Sequence, residues 1–346
     1  MFNRILVPLD GSLLAERAIP HAMRFARIFE SNIILLRVLN PISYHENPDA
    51  VDPLKWQIRK AEADMYMQGI TDRLCKELES NNLPKAEDFE ECKPRVEYCI
   101  LEGKTAENII NFAHSENIDL VVISTHGSSG LSRWNLSSVT QKVINLIYLP
   151  ILVVRAYNAP VNEKVPVYYH RILLPIDSSR RAECSLSAGI ALARGEPVKN
   201  AKNDGNSNQT ILILAAVIKP PEIPIPEPYP IKIEKLSEQL MQVSRLSVNN
   251  YLKEMKERLP VACESLVLEN ASVSSAIQEL ADQDEVLDMV VLCAHGYTGR
   301  STWPYGTVAR NYLEHGTKTV LVIQDLPRSK VQPSAAELAC EKSGGL

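Results

Sequence analysis

Apolar and polar residues follow two rhythms along this chain, and the rhythms take turns. Ile5–Leu9 is a short, continuous apolar run, the pattern of a strand covered on both faces. Ala15, Ile19, Ala22, Met23 and Ala26 follow at offsets 0, 4, 7, 8 and 11, which line one face of a helix. The alternation continues with strand Ile33–Leu39, a proline-containing loop and a long helix from about Leu54 to Glu79. Strand Arg95–Leu101, helix Thr105–Ser115, strand Asp119–Ser124, helix Ser138–Tyr148 and strand Ile151–Arg155 complete the series.

Then the pattern starts again. Arg4-Ile-Leu-Val-Pro-Leu-Asp-Gly-Ser12 is answered by Arg171-Ile-Leu-Leu-Pro-Ile-Asp-Ser-Ser179, a lag of 167 from Asp10 to Asp177. Leu120-Val-Val-Ile-Ser-Thr-His-Gly127 is answered by Met289-Val-Val-Leu-Cys-Ala-His-Gly296 at a lag of 169. A period of this length is too long for a solenoid, so the chain is a tandem pair of whole domains. The helical face returns as Ala182, Leu186, Gly189, Ile190 and Ala193. After it come Thr210–Ile218, a helix from about Ile233 to Arg258, Glu264–Leu268, Val273–Gln283, Asp288–Ala294, Thr307–His315 and Thr319–Gln324. Buried strands alternating with helices predict an α/β fold: two tandem open parallel five-stranded sheets, flanked by helices through right-handed crossovers. The expected division is domain one over 1–156, a linker over 157–169, domain two over 170–326 and a disordered tail over 327–346. Pro220 to Pro230 carries six prolines and must be extended. It reads as a stiff surface spacer or as a ligand for a proline-reading partner.

Composition narrows the function. The 346 residues suffice for about two domains with real cores. With 37 basic against 42 acidic residues, net charge is −5, which argues against a general nucleic-acid binder. The longest apolar run, Ile211 to Ile218, is eight residues, far short of the roughly 20 that span a bilayer. No export signal is visible after Met1, and the seven cysteines contain no CxxC pair. They read as thiols in a reducing cytoplasm rather than a disulfide frame or zinc site.

In an open parallel sheet, ligands bind outside the carboxyl ends of the strands where strand order reverses. Asp10 and Asp177 end the first strand of each half. A carboxylate there either accepts hydrogen bonds from a ligand or caps the following helix. After the fourth strand, domain two reads Cys293-Ala-His-Gly296-Tyr-Thr-Gly299-Arg-Ser-Thr-Trp-Pro-Tyr-Gly306-Thr307. A glycine-containing loop that feeds a helix N-terminus offers backbone N–H groups and the positive end of a dipole, a cradle for phosphate. Domain one has Ser124-Thr-His-Gly127-Ser-Ser-Gly130-Leu-Ser-Arg-Trp-Asn-Leu-Ser137-Ser138 in the same place. If the Gly306 position needs a positive φ or a close ligand approach, Ser137 is strained by about 1–2 kcal/mol. That ranks domain two as the better site. His126 and His295 sit beside the loop, and with no nucleophile or paired carboxylate near them they read as loop-ordering groups rather than acid catalysts. Arg133 and Arg300 are candidate phosphate contacts or solvated loop charges; Trp134 and Trp303 read as packing at the base of the loop.

The arrangement resembles the universal stress protein family in its tandem two-domain form, from Phe2 to about Asp325. The resemblance rests on Asp10 and Asp177 and on the signature Gly-x2-Gly-x9-Gly-Ser/Thr. Nine residues separate Gly127 from Ser137 and Gly296 from Gly306, while Ser124, Cys293 and Ser137 stand where the signature has glycine. It implies a Rossmann-like, adenine nucleotide alpha hydrolase-like fold and binding of ATP or AMP, with Mg2+ as a companion ion. It also implies Asp10 and Asp177 near ribose or adenine and Val38 and Val217 touching adenine through their backbone. Gly127, Gly130, Ser137, Ser138, Gly296, Gly299, Gly306 and Thr307 would then surround the phosphates. Catalysis would amount at most to slow ATP hydrolysis or self-phosphorylation, with Ser138 or Thr307 as acceptors. Family dimers pair through fifth strands, here Ile151–Val154 and Thr319–Ile323, so the two halves are expected to form an intrachain pseudo-dimer, with homodimerisation as a further option. The expected partners are an adenine nucleotide and a protein of unknown identity. The competing reading is a nucleotide-independent interaction scaffold of the same fold.

Overall fold

In the computed structural model, which describes residues 1–40, 53–80, 95–126, 136–156, 167–195, 210–224, 229–297 and 303–326, the chain divides into two units between Tyr168 and Tyr169. The first unit holds β1 (Arg4–Leu9), α1 (Leu13–Glu16), α2 (Ala18–Phe29), β2 (Asn32–Leu39), α3 (Pro53–Ser80), β3 (Val96–Glu102), α4 (Thr105–Ser115), β4 (Leu120–Ser124), α5 (Ser138–Leu146) and β5 (Ile151–Val154). Its strands are parallel and ordered β3-β2-β1-β4-β5. The second unit holds β6 (Arg171–Pro175), α6 (Cys184–Arg194), β7 (Ile211–Ile218), α7 (Ile231–Arg258), β8 (Cys263–Glu269), α8 (Val273–Gln283), β9 (Met289–Cys293), α9 (Thr307–His315) and β10 (Thr319–Ile323). Its order, β8-β7-β6-β9-β10, repeats the first.

Strand order decides where the helices go. From β1 the chain steps outward to β2 and β3, then crosses back to β4 and on to β5. Right-handed crossovers therefore place α2 and α3 on one face and α4 and α5 on the other, and α4 packs against α5 as α8 does against α9. Central β4 and β9 are buried along their whole length, which explains their unbroken apolar sequence.

The single helix expected over 15–26 is divided into α1 and α2 at Arg17. Proline has no N–H, so Pro20 cannot donate to the carbonyl of Glu16, and the ladder opens there. The apolar face survives the break: Ala15, Ile19, Ala22, Met23 and Ala26 are all buried. In the second unit Ala182, Leu186 and Gly189 are buried, whereas Ile190 and Ala193 are only half-buried. Of the proline-rich stretch, residues 220–224, 229 and 230 form neither helix nor strand. Pro230 (φ −57°, ψ 141°) stands directly before α7, which starts two residues earlier than its periodicity suggested. Among the described residues no helix is long and apolar enough to cross a membrane.

Candidate functional site

Each unit has one place where neighbouring connections leave in opposite directions, between β1 and β4 and between β6 and β9. The loops at the carboxyl ends of those strands frame a crevice. Asp10 follows β1 and Asp177 follows β6 by two residues, so the repeated carboxylates stand at the two switch points.

Neither is the helix cap itself. Ser12 is the N-cap of α1, accepting from the Ala15 amide at 3.2 Å, and Asp10 Oδ1 accepts from the Ser12 amide (3.0 Å) and hydroxyl (2.6 Å). Asp177 Oδ1 holds Ser179 in the same way, at 3.1 and 2.6 Å, and Ser179 accepts from the Ala182 amide at 3.1 Å. Each aspartate thus aims the serine that opens the following turn. In the second unit Asp177 Oδ2 also accepts from the Tyr297 amide at 2.5 Å, joining the end of β6 to the loop after β9. A carboxylate has about four acceptor positions; Asp177, exposed to solvent, has three hydrogen bonds filled. Gly296 is required by this contact, because a Cβ there would run into the Asp177 carboxylate.

The loop after the fourth strand closes alike in both units. Gly306 donates its amide to the Ala294 carbonyl at 2.7 Å, and Ser137 donates to the Thr125 carbonyl at 2.9 Å. Gly306 has φ −69° and Ser137 has φ −60°. Neither residue is left-handed, so the positive-φ ground for strain at Ser137 is absent. The difference lies in the side chain. Ser137 Oγ accepts from the Thr140 amide (3.1 Å) and meets Thr140 Oγ1 at 2.9 Å, and that hydroxyl donates to the Ser124 carbonyl at 3.0 Å. These three positions are Gly306, Ala309 and Cys293 in the second unit, and α9 begins with no side-chain cap. Its first-turn amides, Thr307 among them, keep the anion-binding character of a helix start. Ser138 begins α5 behind the sealed cap. Gly127, Gly130, Gly299, Arg133, Arg300 and Trp134 lie outside the described residues, as do 157–166 and 327–346.

Val38 and Val217 stand near the ends of β2 and β7, each two residues past the strand register that pairs Pro8 with Leu36 and Pro175 with Ala215. Their predecessors differ: Arg37 in the first unit, Ala216 in the second. The Arg37 guanidinium lies so close above Gly11 that a Cβ there would come within 2.7 Å of Nη1. It stands 5.7 Å from the centre of the Tyr66 ring, and its Nε and Nη1 are buried with no hydrogen-bond partner. Burial holds its pKa below the usual arginine value, against the attraction of Asp10.

Two groups at the crevices escaped the sequence reading. Tyr66 donates to Glu16 Oε1 at 2.8 Å, and Tyr251 donates to Glu183 Oε1 at 2.8 Å. Burial first, and the glutamate hydrogen bond second, push both phenols up. The glutamates repeat at a lag of 167 but the tyrosines at 185, so a constant-lag comparison passes over them. The other group supports the loop in the second unit. His295 is buried, with Nδ1 2.7 Å from Asp325 Oδ1 and Nε2 2.9 Å from the Trp303 carbonyl. Arg181 joins Asp325 at 2.6 Å, and together His295 and Arg181 hold the Asp325 carboxyl below its ordinary pKa in spite of its burial. Both ring nitrogens of His295 are thus engaged, tying the end of β9 to Asp325 and to the Trp303 backbone. In the first unit His126 Nδ1 meets Thr125 Oγ1 at 2.9 Å.

The sequence profile of the universal stress protein family matches residues 1–155 and again 168–324. Two universal stress proteins of Methanocaldococcus jannaschii, MJ0531 and MJ0577, are 28% and 26% identical over 156 and 159 residues. Those alignments cover 45% and 46% of this chain but 83% and 98% of the relatives, so each relative corresponds to about one half of it. A solved structure from Pseudomonas aeruginosa, PA1789, described as functionally unknown, aligns over 99% of this chain and 96% of its own with a TM-score of 0.58 at 15% identity.

Proposed function

The chain belongs to the universal stress protein family in a tandem two-domain form, and from that premise we propose that its second unit binds an adenine nucleotide, ATP or AMP. The observation that carries this reading is the uncapped start of α9 beside the loop that Asp177 fastens. The donors fit the ligand. First-turn amides from Thr307 onward favour a phosphate by hydrogen bonding and by the helix dipole. Gly296 keeps the crevice wall free of a side chain, and the remaining acceptor position of Asp177 suits a ribose hydroxyl. Backbone at Val217 is left for the base, with small Ala216 beside it. A magnesium ion would arrive with the phosphates, as it usually does, bound through their oxygens.

The first unit is the weaker site in this reading, for reasons other than backbone strain. The Ser137 hydroxyl already takes the Thr140 amide, which removes a donor from the start of α5. Arg37 sets a guanidinium above Gly11 and beside Asp10, where the second unit has the small Ala216 before Val217. Nucleotide occupancy would act by binding one conformation of the loop better than another, the only way a ligand shifts an equilibrium. A stress-response or signalling role in the cytoplasm, with a protein partner reading that loop, is consistent with the family.

Calorimetric titration of ATP and AMP tests this. Asp177→Ala is expected to weaken binding about tenfold or more, the effect of losing a hydrogen bond to a charged group, while Asp10→Ala leaves affinity unchanged. Loss confined to Asp10→Ala would overturn the ranking. If purified protein carries no nucleotide and takes up none, the chain is an interaction scaffold instead.

A further inference from the structure

Cys184, the first residue of α6, and Cys293, the last of β9, are both free thiols with their sulfurs 3.1 Å apart. Cys293 is buried and Cys184 half-buried. A disulfide bond is about 2.05 Å long, so closure needs the sulfurs to approach by about 1 Å. The pair belongs to the second unit alone, because the matching positions of the first are Arg17 and Ser124. The neighbourhood is already braced: His295, two residues beyond Cys293, is held by Asp325, and Asp325 by Arg181, three residues before Cys184. Both ends of the dithiol are thus held by an ion-paired frame that keeps the sulfurs facing each other.

We propose that Cys184 and Cys293 form a peroxide-responsive dithiol site that closes to an intramolecular disulfide. Cys184, the more accessible sulfur, attacks a peroxide oxygen; the O–O bond breaks, water leaves, and Cys184 becomes a sulfenic acid. Cys293 sulfur then attacks the Cys184 sulfur, the S–O bond breaks, and the hydroxyl leaves as water with the Cys293 proton. Two thiols lose two electrons and one hydrogen peroxide becomes two waters. The Cys293 thiol is pushed up by the Cys184 hydrogen bond and then by burial, so it stays protonated until its partner is oxidised. Closure ties the start of α6 to the end of β9 at the root of the loop that carries Gly296. The chemistry does not depend on the nucleotide reading.

The test exposes the whole chain to hydrogen peroxide at low molar excess, alkylates the remaining thiols and maps peptides without reduction. The expected product is a cross-link between Ala182–Arg194 and Leu259–Arg300, lost on adding dithiothreitol. Fragment ions must place it on Cys293 rather than on Cys263, which shares the second tryptic peptide. In Cys293→Ser, Cys184 is expected to stop at a sulfenic acid trapped by a dimedone-type reagent. In Cys184→Ser, Cys293 is expected to stay reduced. Alkylation of both thiols after peroxide treatment, or oxidation of Cys184 to sulfinic acid without a cross-link in the unsubstituted chain, would overturn the proposal.

Discussion

The two halves share strand order, the paired Asp–Ser turns and the Tyr–Glu contacts, yet they anchor the same loop by opposite means. In the second unit a chain of contacts runs from the half-buried Arg181 through the buried Asp325 side chain to His295 and ends on the Trp303 carbonyl. In the first, Leu14 and Ala156 occupy the places of Arg181 and Asp325. There a neutral hydroxyl does the work: Thr125 Oγ1 accepts from the Ala156 amide at 3.2 Å and meets His126. The helix starts diverge in the other direction. Hydroxyls seal α5, whereas α9 is left without a side-chain cap. A duplicated fold can therefore keep its frame while exchanging charge for hydroxyl at one point and losing hydroxyls at another.

Charge buried in one anchor makes a large expected difference. Asp325→Ala removes the carboxylate shared by His295 and Arg181 and is expected to cost about 2–3 kcal/mol of stability, the scale of hydrogen bonds to a charged group. Thr125→Ala in the first unit is expected to cost about 1 kcal/mol, the scale of a neutral hydrogen bond. Urea denaturation of the two variants measures both, and equal losses would break the contrast.

Acid is expected to separate the units next. His21 is buried in α2, and burial lowers its pKa to about 4; its counterpart in the second unit is Ala188. The unfolded chain binds that proton near pH 6.5, the folded chain near pH 4. Stability is thus full above about 6.5, falls as pH drops through that window and levels off below about 4, a loss of about 3 kcal/mol. His21→Gln should flatten this part of the stability–pH curve. The Asp325 contribution has a different window: its folded pKa is depressed, so its stabilisation is present above the unfolded carboxylate pKa and fades at lower pH.

Smaller effects sharpen the ligand side of the comparison. Exchanging the residues before Val38 and Val217, as Arg37→Ala and Ala216→Arg, is expected to shift nucleotide affinity toward the first unit. Calorimetry should show Ala216→Arg weakening the second site by about tenfold, or ~1.4 kcal/mol. Least of all, Ser178 sits at φ 62° where Gly11 occupies the same position at φ 83°. Ser178→Gly relieves a left-handed side chain at the expense of unfolded-state entropy, a net gain of about 0.5 kcal/mol on thermal unfolding.

Most of the architecture was legible because it depends on periodicity, which the repeat states twice. Buried parallel strands need unbroken apolar runs, and each run had a partner in the other half, at a lag of 167 for the first strands, 169 for the fourth and 179 for the second. The break at Arg17 was less visible because the apolar face continues through it; only Pro20, taken as a missing donor to Glu16, marks it. Around the candidate crevice, the places of Asp177 after β6, of Gly296 after β9 and of Gly306 and Thr307 at the start of α9 were readable from spacing. A positive φ at Gly306 is not found, since its backbone there suits any residue; what sets it apart from Ser137 is the absence of a capping hydroxyl. Arg37, the Tyr–Glu contacts and the Cys184–Cys293 pair were hidden for a shared reason. Each joins residues from elements separated by insertions of unequal length, so no fixed spacing announces them.

The Tyr297 amide has a consequence for spectroscopy. It donates to Asp177 across the mouth of the crevice, so its proton resonance and exchange rate report on that carboxylate directly. Isotope labelling of tyrosine nitrogen would turn this one group into a gauge of whether that contact is made, readable without any added dye or change of sequence.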